Sequence, residues 1–350
     1  MDPVTTPAAK YAAAKSRIKH QITEEFIAQF EFPFDQFQIE ACHAVESGHG
    51  VLVAAPTGAG KTVVGEFAAY VALRAGRKCF YTTPIKALSN QKYQEFVERF
   101  GEDKVGLLTG DTNLNSEADI LVMTTEVLRN MLYANSSTLS NLGSVVMDEV
   151  HYLADKFRGA VWEEVLIHLM ESVQVISLSA TVSNAEEFGE WLGEVRGETD
   201  VILSEHRPIP LYQHVLINST LVDLFSQPGK INPEILALER EAMRKVRAPR
   251  QRREQWGGQG SRLSRAEIIE KLNRENLLPA ITFIFSRLGC DSAVKQCLAA
   301  GLKLTTPAER AEILATAQRY TANLPEEDLE VLGYREWITA LERGIAAHHA

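Results

Sequence analysis

The sequence has few cysteines and no long apolar run. Its four cysteines, Cys42, Cys79, Cys290 and Cys297, lie too far apart for a paired metal-ligand pattern, and a chain of 350 residues does not need disulfide bonds to be stable. We therefore expect reduced thiols. No stretch approaches the roughly 18 consecutive apolar residues of a membrane-spanning helix, and the N-terminus lacks the apolar core of a signal peptide. These absences give no support to a membrane protein and favour a cytoplasmic one.

Positive charge is also scarce, since 36 Lys and Arg residues face 46 Asp and Glu residues and the net charge is −10. This balance is unusual for a protein that binds nucleic acid. The charge is unevenly distributed, however, because nine basic and two acidic residues lie in the segment 240–265. We interpret this basic segment either as a solvated linker or as an arm that contacts phosphates, and charge alone does not decide between the two.

Short apolar runs alternate with helix-compatible stretches from Val51 onward. The alternation predicts a parallel sheet with helices on both faces, because strands that are buried on both sides are apolar throughout. Ligands of such sheets bind beyond the carboxyl ends of the strands. The predicted strands are residues 51–55, 78–82, 105–109, 120–124, 145–148 and 173–178, and the predicted helices are residues 62–74, 85–100 and 160–170.

The pattern changes after Leu216. A charged helical stretch leads into the basic segment, whose run of Trp and Gly at residues 256–260 is typical of a loop or connector. A new apolar run at residues 280–285 predicts a strand that opens a second α/β unit, followed by helices at residues 286–300 and 307–322. About 75 residues belong to this unit, which is half a domain at best.

A strand followed by a glycine-rich loop and a helix is typical of a phosphate-binding site. Residues 51–54 lead into a loop that matches the phosphate-binding motif, with Ala55 in the place of the first glycine. Backbone N–H groups of such a loop and the N-terminus of the next helix suit phosphate oxygens. We expect Lys61 to reach the outer phosphates and the Thr62 hydroxyl to bind Mg²⁺. The loop consists of Ala55, Pro56, Thr57, Gly58, Ala59, Gly60, Lys61 and Thr62.

Two adjacent carboxylates, Asp148 and Glu149, follow another apolar run. We expect Asp148 to hold Mg²⁺ directly or through water, and Glu149 to orient and deprotonate the water that attacks the γ-phosphate. His151 is interpreted either as a capping or core histidine or as a link between the γ-phosphate and another domain. Ser179, Ala180 and Thr181 follow the run 173–178 at the same predicted sheet edge. We expect the Ser179 and Thr181 hydroxyls to contact the Asp148-Glu149 turn and the tripeptide to relay the nucleotide state.

The order of these motifs resembles that of the superfamily-two helicases. Besides the phosphate loop, Asp148-Glu-Val-His151 and Ser179-Ala-Thr181, it includes Thr83-Pro-Ile-Lys-Ala-Leu88, Thr109-Gly-Asp111 and Thr124-Thr-Glu126. The four-residue box is similar to that of the DExH proteins. Residues 32–38, Arg158-Gly159, Trp162-Glu-Glu164 and His206-Arg-Pro208 narrow the resemblance to the superkiller-type RNA helicases, which include exosome-assisting enzymes and the actinobacterial HelY proteins.

The resemblance implies an adenine site. In this family an upstream aromatic side chain and a glutamine contact adenine, and the matching residues here are Phe32 and Gln38. A stacked ring and a bidentate amide would favour ATP over GTP. Either residue is equally interpretable as a packing residue, since Phe34 and Phe37 lie beside Phe32.

The resemblance also implies a path for one nucleic-acid strand. Hydroxyls, helix N-termini and a few cations suit the sugar–phosphate backbone, so binding independent of base sequence is expected. The residues carried over are Pro84, Ile85, Lys86, Gly110, Thr124, Thr125, Glu126 and Arg129.

Together these patterns predict a RecA-like α/β domain at residues 32–220 after a helical lead-in at residues 1–31. A basic linker is expected at residues 221–275 and the start of a second RecA-like domain at residues 276–350. No later Gly-Arg-rich segment supplies the arginines that the family places against the γ-phosphate. We therefore expect the chain to be incomplete and weakly active by itself.

The activity implied is that of an ATP- and Mg²⁺-dependent helicase acting on single-stranded nucleic acid. RNA is favoured over DNA, and a nuclease or another RNA-processing enzyme is a candidate partner. A DNA helicase is the nearest alternative, because backbone contacts separate RNA from DNA only when they use the 2′-OH. A module that binds ATP or RNA without turnover is an alternative from another class.

Overall fold

The computed structural model describes residues 20–156, 158–181, 184–217, 219–227, 229–247, 263–322 and 324–348. The chain divides into two units, Met1–Leu211 and Tyr212–Ala350, and each is described by itself. Most of the predicted basic segment and residues 1–19 of the predicted lead-in lie outside the described residues.

The first unit is built on an eight-stranded sheet with the strand order β4-β3-β5-β2-β6-β7-β1-β8. Neighbouring strands run parallel, except that β4 pairs antiparallel with β3. The strands are β1 (Gly50–Ala54), β2 (Lys78–Thr83), β3 (Val105–Leu108), β4 (Asn113–Leu114), β5 (Ile120–Thr124), β6 (Leu142–Met147), β7 (Gln174–Ser179) and β8 (Thr199–Leu203). This sheet confirms the predicted parallel α/β architecture.

Helices cover both faces of the sheet because alternate strand residues point to opposite sides. In β1, Val51 and Val53 belong to one core and Leu52 to the other. Residues of α1 to α4 complete the first core, and residues of α5 to α7, including the fully buried Trp162, complete the second. The helices are α1 (Gln21–Ile27), α2 (Gln36–Glu46), α3 (Thr62–Arg74), α4 (Lys86–Phe100), α5 (Thr125–Tyr133), α6 (Gly159–His168) and α7 (Ala185–Arg196).

Two strands of this sheet, β4 and β8, were not predicted from the sequence. β4 has only two residues, and both are exposed. β8 lies at the edge of the sheet, where only Ile202 of its five residues is buried. An edge strand of this kind carries polar residues such as Asp200, so it lacks the continuous apolar run that marked the central strands.

The second unit has two antiparallel strand pairs and six helices among its described residues. The strands β9 (His214–Ile217) and β10 (Thr220–Asp223) form one pair, and β11 (Phe225–Gln227) and β12 (Lys230–Ile231) form the other. The helices are α8 (Pro233–Arg247), α9 (Arg265–Arg274), α10 (Arg287–Ala299), α11 (Pro307–Thr321), α12 (Glu326–Val331) and α13 (Tyr334–Leu341). The helices α10 and α11 closely match the predicted helices at residues 286–300 and 307–322.

The strand predicted at residues 280–285 is wrong. These residues form no strand, and the side chains of Ile281, Phe283 and Phe285 are 83%, 84% and 105% exposed. A strand requires a neighbour that accepts and donates its backbone hydrogen bonds. In the described part of the second unit, the strands form only the two antiparallel pairs. The alternating apolar pattern is therefore present without the sheet that would pair it, and a second RecA-like domain stays a prediction.

The four cysteines are free thiols, and Cys42, Cys79 and Cys297 are buried. Burial raises the pKa of Cys79 to about 12, so this thiol is not a reactive thiolate at neutral pH. Within the described ranges, no helix has both the length and the apolar character needed to cross a bilayer.

Gly106→Ala in β3 is expected to destabilise the first unit. A Cβ at this position would lie 2.2 Å from Asn115 O and 2.9 Å from Leu114 O, and both are backbone atoms that cannot rotate away. Overpacking of this kind costs about 1–3 kcal/mol. The measurement is denaturant-induced unfolding followed by circular dichroism.

Gly193→Ala in α7 is the matched control. No described atom lies within 4 Å of the added Cβ, and alanine stabilises a helix by about 0.5–1 kcal/mol relative to glycine. The two variants should therefore shift the unfolding midpoint in opposite directions. Equal shifts would contradict the steric role of Gly106.

Candidate nucleotide-binding site and adjoining surface

The predicted phosphate loop follows β1 and leads directly into α3. Gly58 and Gly60 have φ angles of +85° and +81°, a backbone conformation that side chains with a Cβ rarely adopt. Nothing lies within 4 Å of a Cβ built on Gly58, so the loop is open on that side. These two glycines give the loop the shape in which backbone N–H groups can surround a phosphate.

Lys61 folds back onto its own loop. Its Nζ donates hydrogen bonds to Ala55 O at 2.7 Å and to Pro56 O at 3.1 Å. Burial lowers the pKa of Lys61, while the nearby Glu149 and Asp148 act in the opposite direction. The ammonium is thus partly desolvated and held by neutral carbonyls, which a phosphate oxygen can replace with a stronger charge-assisted interaction.

Asp148 is fixed by three hydrogen bonds at the end of β6. Its backbone N–H donates to Thr82 O at 2.9 Å, Oδ1 accepts from the Glu149 N–H at 2.9 Å, and Oδ2 accepts from the Tyr81 hydroxyl at 2.8 Å. Tyr81 is fully buried, and burial followed by the Asp148 charge raises its pKa well above the ordinary value. Tyr81 therefore stays a neutral donor that orients the carboxylate.

Glu149 lies in the left-handed region, with φ 52° and ψ 41°. A non-glycine residue pays of order 1 kcal/mol for this conformation, so the surrounding structure must enforce it. Burial and then Asp148 raise the pKa of Glu149, against the opposite effects of His151 and Lys61. A raised pKa makes this carboxylate a stronger base than an exposed glutamate, as its predicted role requires.

His151 is part of a short 3₁₀ turn, Val150–Ala154, and its Nδ1 lies 3.2 Å from Glu149 Oε2. The contact lacks hydrogen-bond geometry, since this buried Nδ1 has no hydrogen-bond partner in the described part of the chain. His151 therefore stands beside the carboxylate, and the helix N-cap is Glu149. His151 therefore does not cap this turn.

The donor set fits Mg-ATP. The Thr62 hydroxyl and the Asp148 carboxylate are hard oxygen donors, and Lys61 and the two glycines with positive φ supply the phosphate environment. Across the described ranges, no group of three or more His, Cys, Asp and Glu side chains converges as a metal cage. Magnesium in nucleotide sites typically takes one or two protein oxygens together with phosphates and water, which matches this composition.

Gln38 is buried and tied to the phosphate loop. Its Oε1 accepts from the Asp35 N–H at 2.8 Å at the start of α2, and its Nε2 donates to Gly60 O at 3.0 Å. Both ends of the amide are therefore engaged with the protein, and reading adenine requires an exchange of partners. Phe32 is 52% exposed and stacks on the buried Phe34, so its outer face is accessible to a ring.

Ser179, Ala180 and Thr181 lie at the end of β7, next to the start of the phosphate loop. The Ala55 N–H donates to Ser179 O at 3.2 Å. The Ser179 hydroxyl is buried without a hydrogen-bond partner among the described residues, so the predicted hydrogen bond to the Asp148-Glu149 turn is not formed by Ser179. The tripeptide contacts the loop through its backbone, and its relay role stays a prediction.

The predicted nucleic-acid contacts follow three neighbouring strands, β3, β5 and β2. Ile85 and Lys86 stand at the N-terminus of α4, and Glu126 lies in the first turn of α5. Two helix N-termini thus stand at the same sheet edge, where their partial positive charge suits phosphates. Gly110 is exposed in the loop after β3.

Not all of these side chains are accessible. Pro84, Thr124 and Thr125 are buried, and the Thr125 hydroxyl donates to Thr83 O at 3.4 Å. The cations are already engaged: Lys86 pairs with Asp111 at 2.5 Å, and Arg129 lies 3.7 Å from Glu164. The buried members therefore shape the surface, while Ile85, Lys86 and Gly110 are presented on it.

Three contacts were missed by reasoning from the sequence. Tyr81 bonds to Asp148, Lys92 donates to Thr62 Oγ1 at 3.3 Å, and Arg158 Nη1 donates to Pro84 O at 3.2 Å. The signal for Tyr81 was its phenol group within an apolar run, because a buried tyrosine hydroxyl needs a partner. Lys92 carried no such signal, since most helical lysines are solvated.

A parallel sheet with a phosphate loop after one strand and an Asp-Glu pair after another defines a nucleotide-binding domain of the RecA-like class. Residues 35–188 match the family model described as "DEAD/DEAH box helicase". These residues therefore form a DEAD/DEAH box helicase domain.

The chain is homologous to HelY-type and superkiller-type helicases, as two relatives show. The chain is 55% identical over 339 residues to "Probable helicase HelY" of Mycobacterium leprae, covering 93% of this chain and 37% of that protein. It is 39% identical over 336 residues to "Superkiller complex protein 2" of Homo sapiens, covering 92% of this chain and 27% of that protein. The chain thus spans little more than a third of the length of the first relative and little more than a quarter of the length of the second.

A solved structure shares the fold. The crystal structure of the DUF1998 helicase MrfA superposes with a TM-score of 0.53 at 18% identity, covering 84% of this chain and 43% of that chain.

Gln38→Glu is expected to weaken nucleotide binding, because a carboxylate would face the carbonyl oxygens of Ala59 and Gly60 that now accept from the amide. Leaving such buried acceptors unpaired costs about 1–3 kcal/mol. Nucleotide affinity is measured by calorimetric titration of Mg-ATP analogue. Gln36→Glu is the control, since Gln36 lies on the same helix, is exposed and bonds only to Glu40 among the side-chain contacts described. Equal losses in the two variants would contradict a specific role for Gln38.

Proposed function

We propose that this chain couples hydrolysis of Mg-ATP to movement along, or separation of, nucleic-acid strands, with RNA as the favoured substrate. The observation that carries the proposal is that three sets of residues meet at one edge of the sheet. The phosphate loop, the Asp148-Glu149 pair and the predicted strand contacts all follow carboxyl ends of parallel strands in one sheet. ATP chemistry and strand binding therefore share one rigid edge.

Within this proposal the loop and Lys61 bind the phosphates, and Thr62 and Asp148 hold Mg²⁺. The ion, when bound, neutralises charge on the phosphates. Glu149 accepts the proton of the attacking water, and its burial suits that task because the carboxylate gains basicity. Tyr81 keeps Asp148 aimed by its hydrogen bond to Oδ2.

Strand binding is assigned to the surface formed by the N-termini of α4 and α5. Lys86 has an exposed partner, Asp111, and exposed ion pairs contribute little, so a phosphate can displace the carboxylate. Contacts of this kind reach the backbone and carry no base information. The surface therefore suits a strand of any sequence.

RNA is favoured over DNA on the strength of homology. The chain is 39% identical over 371 residues to "DExH-box ATP-dependent RNA helicase DExH15 chloroplastic" of Arabidopsis thaliana, covering 93% of this chain and 31% of that protein. A nuclease or other RNA-processing partner, as the superkiller resemblance implies, is part of the same proposal.

The variants Lys61→Ala and Glu149→Gln should separate binding from chemistry. Losing the Lys61 cation should weaken Mg-ATP binding by roughly ten- to a hundredfold, since hydrogen bonds to charged groups contribute about 1.5–3 kcal/mol. Glu149→Gln should keep the affinity and lower turnover by about 10²–10⁴. Calorimetry and a phosphate-release assay measure the two effects. In an intact two-domain form of the protein, a Glu149→Gln variant that hydrolyses ATP within about tenfold of wild type would overturn the general-base assignment.

Stimulation of ATP hydrolysis should be larger with single-stranded RNA than with DNA of matched sequence. The expected cause is contact with the 2′-OH by the surface around α4 and α5. Phosphate release is measured against strand concentration for both polymers. Equal stimulation would favour a general nucleic-acid motor, and binding without any turnover would favour the passive-module alternative.

A further inference from the structure

Lys92 contacts the nucleotide site from outside the predicted site residues. It lies on α4, and its side chain is only 12% exposed. Its Nζ donates to Thr62 Oγ1 at 3.3 Å and also to Glu95 Oε2. The ammonium stands 5.9 Å from the centre of the Tyr81 ring, within the range of a cation–π interaction. A lysine from the helix next to the site is therefore fixed against the hydroxyl expected to bind Mg²⁺.

Tyr81 joins the same contact to the second expected metal ligand. Its hydroxyl donates to Asp148 Oδ2, and its ring packs edge-on against Phe96 of α4 with centroids 5.1 Å apart. A Cβ on Gly65 of α3 would lie 2.7 Å from the ring, so α3 rests directly on Tyr81. Both expected metal ligands thus receive a hydrogen bond from a donor that touches α4 or belongs to it.

The same helix begins at the proposed strand-binding surface. Ile85 is its N-cap, and Lys86 is its first residue. At about 1.5 Å of rise per residue, Lys92 lies roughly 9 Å along the axis from Lys86. Since an α-helix of this length is stiff on that scale, a displacement of the α4 backbone at Lys92 is carried to the strand-binding end.

We propose that Lys92 is a positioning residue that couples occupancy of the metal site at Thr62 to the strand-binding end of α4. The inference rests on the proposed function, because it takes Thr62 as a ligand of Mg²⁺. With no cation on Thr62, the ammonium is held at Oγ1. When Oγ1 ligates a divalent cation, Lys92 is repelled at short range in a poorly solvated place and keeps its contact with Glu95.

The coupling must be reciprocal. If a bound cation weakens the contact between Lys92 and Thr62, then that contact must weaken binding of the cation by the same factor. Removing the charge of Lys92 should therefore tighten Mg²⁺ binding. A residue with a merely structural role would leave the Mg²⁺ dependence unchanged or weaken it.

The test uses the 350-residue chain and a fluorescent, non-hydrolysable ATP analogue, with nucleotide binding titrated against free Mg²⁺. Lys92→Met replaces the ammonium by an uncharged unbranched side chain, and it should lower the Mg²⁺ midpoint by about three- to tenfold, as the loss of a single hydrogen bond implies. Lys92→Arg keeps the positive charge and should therefore retain the wild-type midpoint. Lys104→Met is the charge control, because Lys104 precedes β3 at the opposite edge of the sheet.

Glu95 supplies a second arm with the opposite sign. Glu95→Gln removes the anion that shares the Lys92 ammonium, so it should raise the Mg²⁺ midpoint. If Glu95 acts through Lys92, the same change should have little effect in the Lys92→Met background. A third readout is hydrogen exchange of the Leu88 and Ser89 amides, which bond to Ile85 O. Their exchange should respond to Mg²⁺ in the wild type and not in Lys92→Met.

An unchanged or raised midpoint for Lys92→Met, with thermal stability retained, would overturn the inference. If that variant does not fold, Lys92→Gln asks the same question with a shorter polar side chain that carries no charge. A wild-type chain that binds no nucleotide, with or without Mg²⁺, would instead overturn the proposed function, and the inference would fall with it.

Discussion

Parallel pairing of the strands is the constraint on which the rest of the site depends. Seven strands of the first unit, β1, β2, β3, β5, β6, β7 and β8, end at a common edge because each pairs with a parallel neighbour. Residues more than a hundred positions apart in the chain meet there, as Ala55 and Ser179 do through one backbone hydrogen bond. Without that alignment, the phosphate loop and the carboxylate pair would be unrelated surface features.

At this edge, burial and neighbouring charges together set the pKa values of Lys61 and Glu149. Lys61 is partly desolvated, and Glu149 and Asp148 act against the resulting fall in its pKa. The same burial raises the pKa of Glu149, which stands in a left-handed conformation beside Asp148. Strained backbone of this kind persists only where its surroundings enforce it, and here the neighbouring Asp148 is held by Tyr81 and Thr82. The strained backbone therefore lies at Glu149, the residue that is proposed to activate water.

Side chains from two other helices donate hydrogen bonds to residues of the phosphate loop. Gln38 of α2 holds the carbonyl of Gly60, and Lys92 of α4 holds the hydroxyl of Thr62. One of these helices starts next to the exposed Phe32, and the other starts at the proposed strand-binding surface. A ligand that binds at the loop can change these two contacts. The loop is therefore connected, through α2 and α4, to the region around Phe32 and to the proposed strand-binding surface.

The sequence by itself determined the RecA-like α/β class, the position of the loop after β1 and the position of Asp148 after β6, because apolar runs and glycine-rich turns are local signals. It failed at residues 280–285, where an alternating apolar run has no sheet to join, and at β8, an edge strand with polar residues. Only the tertiary structure decided that β2 lies beside β6, which puts Tyr81 on Asp148, and that α3 and α4 cover the same face of the sheet, which lets Lys92 reach Thr62. The physical reason is that an apolar strand is compatible with many neighbours. Its lateral order is set by the packing of the whole sheet and its helices, and no single segment encodes that order.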